Sequence, residues 1–155
     1  MMRTNFLWVL IGVLLLGISL TLSHRFPHWL QASSDIRLSS DPACALQSAP
    51  CATVLPGGGR IELDITPRPL LPASPLRVEV RVEGFQPAAM AIEFTGVEMN
   101  MGLNRAELER HPAGRFHAMV SLPVCTAGRM LWQATLIFDG PAGRLAVPFR
   151  FHAPP

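Results

Sequence analysis

Six stretches of this chain alternate apolar and polar residues one by one, and a period of two admits only extended strands with one dry face. Ile61, Leu63 and Ile65 alternate with Arg60, Glu62 and Asp64, and Leu76, Val78, Val80 and Val82 with Arg77, Glu79, Arg81 and Glu83. The same rhythm places Met90, Ile92 and Phe94 on one face, then Phe116, Ala118, Val120 and Leu122. Met130, Trp132, Ala134, Leu136 and Phe138 form the next set, and Leu145, Val147, Phe149 and Phe151 the last. A helix, with its period of 3.6, could not hide these sets on one side. Turn residues separate the runs: PGGG at 56–59, EG at 83–84, PAG at 112–114 and DGP at 139–141. The pattern predicts an all-β, immunoglobulin-like antiparallel sandwich of six or seven strands over residues 44–155. Residues 105–110 read as the helical candidate, about one turn. Pro148, which cannot donate to a ladder, implies an edge position or a bulge in the last strand.

The N-terminal part follows another rule. Residues 6–23 run FLWVLIGVLLLGISLTLS without a charge, at the short end of the roughly 17–25 residues a membrane-spanning helix needs. No A-x-A-like cleavage site follows, and His24, Arg25, His28 and Trp29 suit a membrane interface. Residues 1–30 are therefore expected to be one N-terminal transmembrane helix, an uncleaved anchor; a cleaved signal peptide is the alternative. Residues 31–43, rich in serine and aspartate, read as an exposed linker. The layout predicts a single-pass protein of the bacterial inner membrane with its C-terminal domain in the periplasm. Cysteine usage agrees with export, since Cys44 and Cys51 flank a six-residue loop that a disulfide could close. A metal or redox dithiol is the other use of such a pair, although the C-x-x-C spacing is missing.

Several function classes are disfavoured. Net charge is +2, and from Cys44 onward ten arginines face nine acids, so no basic patch invites nucleic acid. No G-x-S-x-G, HExxH or phosphate-binding glycine loop occurs, and the chain is read as a non-enzyme. Ser121 and His117 share a strand face but lack an orienting acid and an oxyanion hole.

Soft donors stand out instead. Met99 and Met101 are two apart, so on an extended chain both point to one face, which Val97 would share. Cys125 lies in the turn before Met130, and His117 and Met119 share the polar face of the preceding strand. Thioether, thiolate and imidazole are the donors that Cu(I) prefers. The plainer uses remain open: methionine fills irregular core gaps, a lone cysteine is often buried and inert, and a histidine on a polar face is often only solvated.

The run VEMNMGLNRAELERHPAGRFHAMVSLPVCTAGRMLWQATLIF resembles the core of the YtkA-like and FixH-like domains, small membrane-anchored β-sandwiches exported across the bacterial inner membrane. The matching features are a methionine turn (residues 99–102), Gly114-Arg115-Phe116 opening a strand, and Gly128 through Trp132. The similarity covers about 60–80 residues and is loose at the sequence level. This chain has M-N-M-G in place of the longer motif, and Leu103-Asn104 where a histidine often follows. The resemblance implies copper handling or help in assembling copper-containing respiratory oxidases. It also implies partners at the inner membrane, such as a copper chaperone or a respiratory oxidase subunit.

Residues and resemblance together predict a tethered domain that binds or transfers Cu(I). Met99, Met101 and Cys125 are the expected ligands, with Met130 and His117 as alternatives. A rival reading is an interaction module whose loop packs on a partner membrane protein through Asn104 and Arg105. A third is a thiol-redox helper using Cys44, Cys51 and Cys125.

Overall fold

The computed structural model of the protein describes residues 11–17, 36–39, 44–124, 128–140 and 143–154. The chain forms two compact units, Met1–Ser33 and Ser34–Pro155. In the first, residues 11–17 are helical, and Ile11, Val13, Leu14, Leu15 and Leu16 are exposed. No helix among the described residues is long and apolar enough to cross a membrane, and most of the expected anchor lies outside the described residues.

The second unit is a sandwich-like pair of five-stranded sheets. One sheet contains β1 (Ile36–Arg37), β5 (Met90–Gly96), β6 (Asn104–Glu107), β9 (Met130–Gly140) and β10 (Gly143–Ala153), in the order β1-β10-β9-β5-β6. The other contains β2 (Cys51–Val54), β3 (Arg60–Thr66), β4 (Leu76–Glu83), β7 (Glu109–His111) and β8 (Arg115–Val120), in the order β2-β3-β4-β8-β7. Every pairing is antiparallel except the two-residue β1 on β10. The described strands number ten, more than the six or seven expected, because three of the extra elements (β1, β6 and β7) are only two to four residues long.

The alternation places the core. Ile61, Leu63 and Ile65 are buried, as are Leu76, Val78, Val80 and Val82, and no polar or charged residue is buried among the described residues. Trp132, Phe94 and Phe151 are the largest fully buried side chains, and Phe94 meets Phe151 edge to face at 6.4 Å. That contact orients two rings that burial alone would leave free to slide. Cys44 and Cys51 stand at disulfide distance, with Cα atoms 5.6 Å apart. A loop this short limits the stabilisation to about 2–3 kcal/mol in the loop-entropy description.

Two expectations change. Residues 105–110 are not helical: β6 pairs with β5 and β7 pairs with β8. Between them Leu108 is buried and its N–H donates to the Met90 carbonyl at 2.8 Å, where the chain passes from one sheet to the other. Tertiary pairing overrides the local helix preference of Ala106, Glu107, Leu108 and Glu109. Within the stretch expected as linker, Ile36 and Arg37 pair with Leu145 and Ala146, and Ile36 and Leu38 pack against the core. Pro148 sits beyond the reach of β1, on a side of β10 left unpaired among the described residues, so the edge position applies there.

The registers bring several loops to one end of the sandwich. Leu76 faces Val120 and Gly96 faces Trp132, so the loops after β3, β5 and β8 leave together. The Ala73 N–H donates to the Leu122 carbonyl at 2.8 Å, and Asn104 shares a groove with Met119 and Ser121.

Candidate functional site

β5 stops at Gly96, where the Val97 N–H makes a last bond to the Leu131 carbonyl at 3.0 Å. The chain then turns back. The Gly102 N–H donates to Asn100 Oδ1 at 2.9 Å, and Asn104 Nδ2 donates to the Met101 carbonyl at 3.3 Å. Two asparagine side chains thus hold the methionine loop from within.

This turn separates the two methionines that an extended strand would align. Met99 is 47% exposed, with Val97 and Leu103 also exposed, whereas Met101 is half-buried and packs on the core. Period-two reasoning fails here because residues 97–103 are not in a strand.

Turned inward, Met101 meets Met130, the first residue of β9, over Gly96. A Cβ on Gly96 would fall on the Met130 Cε and the Met99 carbonyl oxygen and lie 3.2 Å from the Met101 Cγ. Only a residue without a side chain leaves room for both side chains. Met130 is buried at 3% exposure, so the three methionines lie at graded depths from rim to core. Cys125 lies outside the described residues, in the connection that enters β9 at Met130.

His117 is not part of this cluster. It lies on the outer face of its sheet, with Nε2 3.7 Å from Glu109 Oε2 and its ring 5.0 Å from that of His111. Its Nδ1 is buried without a hydrogen-bond partner. The neighbouring His111 could have been found from the sequence by folding residues 109–117 as a hairpin about Pro112-Ala113-Gly114, which the helical reading of 105–110 obscured. Among the described residues no group of three or more His, Cys, Asp or Glu is arranged to hold a metal.

Asn104 and Arg105, the expected partner contacts, are engaged within the chain. Arg105 bonds Glu93 at 2.9 Å and Glu107 at 3.0 Å. The Glu107 hydrogen bond, seconded by Glu93, holds the guanidinium above its ordinary value despite slight desolvation. Arg105 thereby fastens β6 to β5 at the foot of the methionine loop.

No family model matches this chain, and no curated protein does. One solved structure is similar, a crystal structure of an engineered protein from the Northeast Structural Genomics Consortium, at 19% identity and a TM-score of 0.44. The likeness covers 69% of this chain, which spans about a fifth (20%) of the length of that protein, and it is too distant to carry a functional argument.

Proposed function

We propose that the protein is a non-enzymatic, membrane-tethered, exported domain that binds or transfers Cu(I). The observation that carries this reading is the meeting of Met101 and Met130 over Gly96, with Met99 at the rim. Thioethers are neutral, soft donors, which suit a soft monovalent ion better than a hard or borderline dication. Cys125, in the connection leading to Met130, would add a thiolate. The graded depth suits delivery, since a rim thioether can accept an ion from solvent or from a donor protein and hand it inward. We read the sandwich as immunoglobulin-like and residues 1–30 as the tether, to which the exposed apolar helical stretch 11–17 lends support.

An interaction module remains a second reading, favoured by one observation. Val97, Met99, Leu103 and Val124 are exposed at the loop end of the sandwich, as an apolar contact with a partner membrane protein would use them. Anaerobic titration of the full chain with Cu(I), and with Ag(I) as a redox-silent substitute, separates the two. A metal-dependent rise in the unfolding midpoint is the expected result, because a ligand bound only by the native state stabilises it. No shift with either ion overturns the copper reading.

A further inference from the structure

The outer face of the β2-β3-β4-β8-β7 sheet carries its charges in rows across the strands, and two neighbouring rows differ in kind. On β8, Phe116 and Ala118 are buried, so Arg115 and His117 point outward. His117 faces Glu79 of β4 on one side and Glu109 of β7 on the other. Arg115, one step along, faces Arg81 of β4 and His111 of β7. Residues directly opposite in an antiparallel pair have Cβ atoms about 4.5–5.5 Å apart, and like charges placed so repel. The first row balances itself. The second sets a guanidinium between another guanidinium and an imidazole, with no carboxylate directly opposite on either side.

The neighbouring acids do not fill that gap. Glu79 pairs with Arg77 at 2.9 Å, Glu62 with Arg81 at 3.5 Å, and Glu109 lies 3.7 Å from His117 Nε2. Arg115 is exposed and, among the described residues, has no ion pair or side-chain hydrogen bond. Arg77, Arg81, Arg115 and both imidazoles line one cleft of about 80 Å³, where Glu79 is the one carboxylate among the described lining residues. A water-sized probe takes about 10–15 Å³ of such space, so the cleft has room for a group of about five heavy atoms, the size of a phosphate. A guanidinium's planar fork matches two phosphate oxygens at once.

We infer that the row Arg81, Arg115 and His111 is a binding site for a single phosphate group. The anion supplies the counter-charge that the row lacks. The rim carboxylates Glu62, Glu79 and Glu109 repel a polyanion, so the site takes one phosphate rather than a nucleic-acid backbone. Free phosphate and the headgroup of an anionic lipid share this chemistry. The inference does not rest on the thioether reading, because it uses different residues and a ligand of opposite charge.

The test follows the unfolding midpoint of the full chain in detergent, with inorganic phosphate compared against chloride at equal ionic strength so that general screening cancels. The wild-type midpoint is expected to rise with phosphate, with a Kd of about 1 mM. Arg115→Gln is expected to weaken phosphate at least about tenfold without lowering the midpoint in chloride. Arg115→Glu places the missing carboxylate in the chain itself. It should raise the midpoint in chloride by about 1–4 °C and abolish the response to phosphate. Glycerophosphoglycerol, a lipid headgroup freed of its chains, is titrated in parallel. Stronger binding than inorganic phosphate supports the site as one for a headgroup, and weaker binding supports it as one for the free ion. A wild type with no phosphate-specific rise at about 50 mM overturns the inference, as does an undiminished rise in Arg115→Gln. A fall in the chloride midpoint of Arg115→Glu also overturns it, because Arg115 would then not lack a counter-charge.

Discussion

Met130 and Trp132 stand two residues apart on the same face of β9, and both are buried. Trp132 is fully buried, flanked by Phe151 of β10 on one side and by Gly96, where β5 ends, on the other. Met130 lies at the open end of the sandwich, beneath a loop that leaves Val97, Met99 and Leu103 in water. The middle hides its apolar side chains, and the loop end displays them. Burial repays apolar residues in the middle by roughly 1.5–3 kcal/mol each, whereas exposed ones at the loop end contribute nothing comparable to folding. Their presence there asks for a use other than stability, and the two regions should answer mutation differently.

The widest separation is expected from Trp132→Ala. It should lower stability by about 3–5 kcal/mol in urea unfolding, through lost transfer energy and the cavity left behind. A loss under about 1 kcal/mol would mean that the middle is not packed as described.

Gly96→Ala tests the boundary between the regions. The new Cβ meets Met130, Met101 and the Met99 carbonyl oxygen, and the loss should be about 1–3 kcal/mol, with any Cu(I)-dependent shift of the midpoint abolished. Wild-type stability and an intact Cu(I) shift would show that the methionine pair does not need this close approach.

Met101→Leu with Met130→Leu keeps volume and apolarity while removing both thioethers. The metal-free protein should lose under about 1.5 kcal/mol per site, and the rise in midpoint on adding Cu(I) or Ag(I) should vanish. An undiminished rise would move the proposed ligands elsewhere.

The smallest effect is expected at the foot of the loop. Arg105 is partly exposed, and Arg105→Ala should cost under about 1 kcal/mol, because solvent screens its pairs with Glu93 and Glu107. Its pKa is raised, so its contribution is present below the ordinary arginine value and is lost only as pH rises through the still higher folded value. Stability measured between pH 5 and 9 should therefore show no step from this residue. A larger loss in Arg105→Ala, accompanied by loss of the Cu(I) shift, would show that the β5–β6 clamp sets the loop geometry.

Much of the fold was legible because alternation is a local property. Each strand's dry face follows from its own residues, and the residues that the pattern placed there are buried, except Val120, which is half-buried. The pairing of Cys44 with Cys51 was also readable, since six intervening residues bring the two within reach. The strand at 104–107 was not. Its residues favour a helix weakly, and only pairing with β5 supplies the ladder that wins.

The sequence by itself determined an apolar-faced set of strands, a short disulfide loop and a supply of soft donors. It could not decide which donors meet. Met99 and Met101 are neighbours in the chain, yet the turn held by Asn100 and Asn104 parts them, while Met130, 29 positions beyond Met101 in the numbering, comes to Met101 over Gly96. His117 left the expected ligand set for the same reason and found His111 across a hairpin instead. Contacts of this kind depend on register and on where a strand ends. For Met101 and Met130 both are set by pairing between β5 and β9, segments distant in sequence, and no local pattern encodes that pairing.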